Sequence, residues 1–170
     1  MRLLFKITSQ QLEQIRRDLA RSHAFAFERV GFICCRFGAL SPSGLIILAA
    51  DYRPVADEHY VDAPGYGALM GEAAIRDAMQ HAHRHAVGMF HVHAHGGRGR
   101  PQFSSTDERE MPNFVPDFFN VRGDVPHGAL VLSNDSMFGY CWLPGQRTKC
   151  ILKEFVVVGA SLWKSGPAHE

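Results

Sequence analysis

The sequence predicts a single α/β domain. Three observations carry that expectation. The chain has 170 residues, 46% of them apolar, which is enough for one core. Two segments, 9–23 and 72–85, space their apolar residues as helices do. Between them lie β-rich runs bounded by turn residues. Residues 2–7 read as an opening strand, and Ser9 reads as the N-cap of a helix that buries Leu12, Ile15 and Leu19 and ends near His23. Residues 29–37 and 45–53 form an expected antiparallel hairpin through the turn residues Ser41, Pro42, Ser43 and Gly44. The stretch 54–71 holds Pro54, Pro64, Gly65 and Gly67 and reads as a loop with one short edge strand, able to flank a site.

A second helix follows at 72–85, with Ile75, Met79 and Ala82 on its apolar face, and 86–93 reads as a buried strand. A Gly/Arg/Pro loop spans 94–103. A helix then starts at Ser104 and is broken or kinked by Pro112 and Pro116. Residues 128–133 and 137–143 read as strands joined at Asn134 and Asp135. Residues 154–158 add a last strand, with Val156, Val157 and Val158 read as buried rather than as an interaction edge. The domain is expected over 1–163, with 164–170 a frayed tail.

The formal net charge of +1 comes from acids and bases spread along the chain. With no basic stripe, nucleic acid is not an expected partner. No apolar run reaches the roughly 18 residues of a membrane span, and no secretory leader is visible, so a cytoplasmic protein without a membrane partner is expected. The cysteines, Cys34, Cys35, Cys141 and Cys150, form no C-x-x-C pair and read as reduced thiols; Cys34 and Cys35, being adjacent, should face opposite sides of a strand.

The chemistry concentrates in His91-Val92-His93-Ala94-His95 and Ser104-Ser105-Thr106-Asp107. Imidazoles two residues apart on a strand point to one side. A carboxylate opening the next helix can complete a three-ligand zinc set with a fourth position left for water. Each half alone is ordinary: Ser104-x-x-Asp107 is also a capping box, and strand histidines are commonly hydrogen-bonded core residues. The missing proton acceptor is found upstream at Glu28, where a strand begins.

Glu28-x-x-Gly31, Gly88-x-x-His91-x-His93 and Ser104-x-x-Asp107 together resemble the JAMM motif of the JAB/MPN metallopeptidases, over about residues 28–143. The resemblance implies a mixed, curved sheet flanked by helices and one zinc ion per chain. It also implies a hydrolase that cleaves ubiquitin or ubiquitin-like proteins from lysines, or trims their tails. It assigns His91, His93 and Asp107 to the metal and Glu28 to proton transfer, and makes Ser104 an oxyanion donor. The chain departs from the family's pattern by carrying Val92 between the histidines and Ala94 after them, and by a longer run to Ser104. Two ligand pairs follow. His91 with His93 places the extra residues in the loop, whereas His93 with His95 places them in the strand. Loops accept insertions more readily than paired strands, which favours His91 and His93.

A small stand-alone member of this kind resembles deconjugases that accompany activating- and conjugating-type enzymes in bacterial ubiquitin-like systems, antiphage systems among them. The implied partner is a ubiquitin-like protein or its conjugate. Alternatives are a peptidase that processes a sulfur-carrier protein, a noncatalytic MPN-like scaffold, and a histidine-rich metal store. His81, His83 and His85 sit near a helix C-terminus, where imidazolium is favoured, and only His81 and His85 can share a face. Arg98 and Arg100 lie in the loop beside the proposed centre and can hold an acidic surface or the C-terminal tail of a modifier, although exposed arginines in a glycine-rich loop are commonly just solvated. Phe114, Phe118 and Phe119 are expected to pack as core.

Overall fold

A computed structural model describes residues 1–22, 26–40, 43–63, 67–146 and 148–159. Its strands are β1 (Arg2–Thr8), β2 (Val30–Leu40), β3 (Gly44–Pro54), β4 (Gly88–Ala94), β5 (His127–Leu132), β6 (Met137–Trp142), β7 (Lys149–Ile151) and β8 (Glu154–Val158). The helices are α1 (Ser9–Leu19), α2 (Glu72–His85) and α3 (Ser105–Phe114). The strands form one mixed sheet in the order β7-β6-β5-β4-β2-β3-β1-β8. Three pairs are parallel, β1 with β3, β1 with β8 and β4 with β5. The α/β expectation holds, and so does the hairpin of β2 and β3, although its turn residues Ser41 and Pro42 lie outside the described residues, as do Pro64, Gly65 and the 164–170 tail.

Alternation along the strands divides the core between two faces. Ile33 and Cys35 of β2, Phe90 and Val92 of β4, and Leu130 and Leu132 of β5 pack with Leu12, Ile15 and Leu19 of α1. On the opposite face Phe32, Cys34 and Met89 pack with Ala74, Ala78 and Ala82 of α2, and Ala129, Val131 and Trp142 pack with Met111 of α3. Cys34 and Cys35 thus face opposite sides, as their adjacency requires. No thiol is in a disulfide, and burial pushes Cys34 and Cys141 up to about 12.

Several boundaries differ from the expectation for identifiable reasons. The N-cap of α1 is Thr8, not Ser9. Its hydroxyl accepts from the Gln11 N–H while the Gln11 side chain accepts from the Thr8 N–H, a capping box that Ser9 is one residue too late to make. The helix closes at Leu19, short of His23, which lies outside the described residues. The face α2 buries is Ala74, Ala78 and Ala82, with Ile75 only half-buried; a stripe of small residues lets the helix axis approach the sheet. Its cap, Ala86, has φ +54°, so β4 cannot begin there and starts at Gly88. Helix α3 runs through Pro112 to Phe114, giving up one hydrogen bond, and Pro116 opens a separate 3-10 turn (Pro116–Asn120).

Two strand readings change. Strand β7, unseen in the sequence, extends the sheet beyond β6. Strand β8 is an edge rather than buried: Val156, Val157 and Val158 are 40%, 44% and 51% exposed. Among the described residues of 54–71 there is one short 3-10 turn (Asp57–His59) and a single bridge between Tyr60 and Met70. Among the described residues no helix is long and apolar enough to cross a membrane.

His127, fully buried at the start of β5, joins the strands around the core. Its Nδ1 accepts from the Met89 N–H at 3.1 Å, so Nε2 carries the proton and donates to the Arg122 carbonyl at 2.9 Å. Burial pushes this imidazole down to about 4. Because the unfolded chain binds the proton first, stability is lost as pH falls from about 6.5 to about 4 and levels off below, at a cost on the order of 3 kcal/mol. Urea unfolding at pH 7 and pH 4.5 should show this loss in the wild type and a smaller one in His127→Asn. A His127 ring that titrates near 6.5 by NMR would contradict it.

Candidate metal centre

His91 and His93 alternate on β4 toward the α2 and α3 face. His95 continues the row beyond the strand, because its N–H still bonds the Leu132 carbonyl of β5 at 2.8 Å. Ring centroids are 5.6 Å apart for His91 and His93, and 4.9 Å for His93 and His95. The first two rings are buried and the third is partly open. His91 is enclosed by Phe32 and Phe114, at 5.8 and 5.3 Å, His93 is buried against Phe103, and the His95 side chain is 28% exposed. Burial, helped by His93 and opposed by Asp107, pushes His91 down to about 3, so it is neutral at physiological pH.

Glu28 reaches the row from just ahead of β2. Its Oε1 is 3.8 Å from His95 Nε2, and one ligand-type atom from each of Glu28, His93 and His95 lies within 4.8 Å of the others. The approach is fixed on both sides of Glu28 in sequence. Arg29, only 4% exposed, donates to Asp57 at 2.6 Å and to the Arg21 and Ser22 carbonyls. The Val30 N–H donates to the Tyr60 hydroxyl at 2.9 Å. The Glu28 N–H itself donates to the Gly67 carbonyl at 2.9 Å.

The glycines of the sequence pattern also have steric reasons. A Cβ on Gly31 would meet the Tyr52 ring at 2.5 Å. One on Gly88 would meet the Pro126 carbonyl at 2.1 Å, so neither position has room for a side chain.

Asp107 arrives from the first turn of α3. Its Oδ2 is 3.4 Å from His93 Nε2 and accepts from the Ser104 hydroxyl at 2.7 Å and the Ser104 N–H at 2.8 Å, while the Asp107 N–H donates back to the Ser104 hydroxyl. Burial alone would raise this carboxyl. The neighbouring His93 and the bonds from Ser104 outweigh it and hold Asp107 well below the ordinary carboxylate range. The helix is tied to the sheet one residue later, where Glu108 accepts from the Tyr140 hydroxyl at 2.8 Å and pairs with Lys149 of β7.

All the residues singled out in the sequence lie along one row on one face, in two tiers. Glu28, His93 and His95 come within 4.8 Å of one another at the end of β4; Asp107, with Ser104 on it, meets that group only through His93, and His91 sits one pleat deeper, outside it. Both nitrogens of His91 and His93 are buried without a hydrogen-bond partner. Imidazoles beside an ionised carboxylate are a donor set that suits zinc, and uncompensated buried nitrogens are groups a bound cation would satisfy. The Ser104 hydroxyl is committed to Asp107 and orients it; donation to an oxyanion requires that bond to be exchanged. Arg29, Tyr60 and Gly67 carry no sequence signal of their roles, because they act on Glu28 only through the folded loop.

No family model matches the chain, and no curated protein matches it. Among solved structures it is similar to the Trichoplax adhaerens STIL N-terminal domain, with 12% identity and a TM-score of 0.40, over 82% of this chain and 40% of that one.

Gly67 gives the geometry a direct test. A Cβ there would stand 2.9 Å from Glu28 Oε2, a contact the flexible carboxylate can relieve by turning away. Gly67→Ala should leave the melting temperature within a few degrees while shifting the ring NMR signals of His95. Unshifted rings would mean that the 67–70 segment yields instead.

Proposed function

We propose that this chain is a JAMM-type zinc metallo-isopeptidase of the JAB/MPN kind, removing or processing a ubiquitin-like protein at its C-terminal tail. The observation that carries the reading is the grouping of Glu28, His93 and His95 within 4.8 Å, with Asp107 reaching His93 at 3.4 Å from a third segment, in the chain order of the motif. In this reading His93, His95 and Asp107 hold the metal. The preference for His91 over His95 assumed that extra residues would bulge the strand, but β4 pairs in unbroken register with β2 and β5, and His95 simply prolongs it. His91 then serves as the buried floor of the centre, pressed between Phe32 and Phe114.

A zinc ion bound there would supply Lewis acidity, bringing water ionisation near neutral pH and polarising a carbonyl. Glu28, 33% exposed, is the group free to accept a proton from the attacking water and pass it to the departing lysine amine. Ser104 fixes the Asp107 carboxylate through two hydrogen bonds and sets its direction toward His93. Phe103 and Phe114 exclude solvent from the inner side. A tail would enter as an extended strand beside the 94–103 loop. That loop is anchored to the β5–β6 turn, with the Gly99 N–H donating to Asp135 at 2.7 Å and the Ser133 hydroxyl donating to the Gly99 carbonyl at 2.7 Å, and it carries Arg98 and Arg100. Ubiquitin-like activating- and conjugating-type enzymes would be the companion proteins of such an activity.

Glu28→Gln should keep its zinc and lose at least about 100-fold in cleavage of a ubiquitin-like fusion, the range for removing a general base. Metal analysis then separates the two ligand pairs. His95→Ala should weaken zinc at least about tenfold, whereas His91→Ala should retain zinc and lose stability. Wild-type protein that takes up no zinc at His93 and His95 would overturn the hydrolase reading.

A further inference from the structure

The register of β2 and β3 shifts between Cys34 and Cys35. Cys34 lies opposite Asp51 and Cys35 opposite Ala49, so Ala50 is the extra residue of a bulge. Before the bulge, Ile47 and Ala49 point to the α1 face. Strict alternation would send Asp51 there as well. The extra residue instead returns Tyr52 to that face, where its hydroxyl donates to Asp18 of α1 at 2.6 Å, and turns Asp51 toward α2. There a carboxylate oxygen of Asp51, the Cys34 Sγ and a ring nitrogen of His81 all lie within 4.8 Å of one another.

We infer that Cys34, Asp51 and His81 form a second metal site, containing sulfur and selective for a zinc-class divalent cation. A thiolate, an imidazole and a carboxylate are the ligand types such an ion combines. Bonds of that length set ligand atoms roughly 3.3–3.8 Å apart around a tetrahedral ion, so small rotations close the set. The three ligands come from three elements, as in a staple joining α2 to the hairpin. The ring of His85, one helical turn from His81, packs against it at a tilt with centroids 4.2 Å apart and limits its rotation.

A cleft of about 260 Å³ lined by Arg53, Asp77, Gln80, His81, Arg84 and His85 reaches the group from the His81 side. Arg53 faces the group, but a divalent ion with one thiolate and one carboxylate is a neutral unit that this guanidinium does not repel. Because His93 pairs with Val30 and Cys34 lies four residues further along β2, the two centres are separated by about 13 Å of strand and are independent.

Cobalt(II) titration of the full chain tests the site, because a thiolate on cobalt gives a near-ultraviolet charge-transfer band and the His93 centre has no sulfur. The wild type should show one thiolate-bound cobalt per chain. The band should vanish in Cys34→Ala, persist in the double variant His93→Ala with His95→Ala, and require at least about tenfold more cobalt in Asp51→Asn and in His81→Ala. Asp51 is exposed, so its variant keeps the test decisive even where replacing the buried Cys34 impairs folding. No band in the wild type at saturating cobalt, a band that survives Cys34→Ala, or unchanged affinity in both Asp51→Asn and His81→Ala would overturn the assignment. Since the double variant removes only the other centre, failure here leaves the metallopeptidase reading untouched, and the converse also holds.

Discussion

Strand β4 is clamped between an antiparallel neighbour, β2, and a parallel one, β5, and the geometry of the candidate centre depends on that double pairing. A strand bonded on both edges cannot slip by one residue without reversing every side chain between faces. Here a slip would carry Phe90 and Val92 out of the α1 core and His91 and His93 into it. The apolar packing of one face therefore holds the imidazoles on the other. The same pairing extends to the His95 N–H, so the last histidine inherits the direction of the strand although it lies beyond its end.

Much of this was legible in the sequence because it rests on short periods. Alternation put His91, His93 and His95 on one side, and the Ser104-to-Asp107 spacing announced a helix start that the structure realises as a capping box. Helix α2 and strand β8 fall where their patterns place them. How far the row of histidines continues was less legible, because it turned on where the strand stops. Periodicity fixes direction, but the extent of a strand is set by its neighbours, and β5 supplies a carbonyl at Leu132 that no local signal reveals. The exposure of Val156, Val157 and Val158 was hidden for a similar reason. Three valines read as a buried strand until the sheet order puts them at an edge.

The β2–β3 bulge shows the limit of such reading most clearly. Nothing in Leu48-Ala49-Ala50-Asp51-Tyr52 marks which residue is extra, since small residues fit a bulge and a regular strand alike. Its placement follows from what each parity would bury. Without it Asp51 would be driven into an apolar core beside Ile47, and Tyr52 would lose Asp18 as a partner for its hydroxyl. Burying an unpaired carboxylate is far costlier than one irregular pair in a ladder, so the bulge is the cheaper solution. One local irregularity thereby both satisfies the α1 face and delivers a carboxylate to Cys34 and His81.

Buried imidazoles on the α2 and α3 face are treated in two ways. His127 is buried with both ring nitrogens bonded, and it acts as a neutral joint between β4 and the segment ahead of β5. His91 and His93 are buried as deeply with neither nitrogen bonded. Leaving a buried donor or acceptor unmade costs about 1–3 kcal/mol each, so four such atoms side by side are a large penalty for a domain whose net stability is only about 5–15 kcal/mol. A sequence shaped for stability alone would fill these positions with valine, as it does at Val92 and Val131 on the same strand pair. The penalty falls at one place, beside an ionised Asp107 and within reach of Glu28, where a divalent cation held by His93 would satisfy one of these nitrogens.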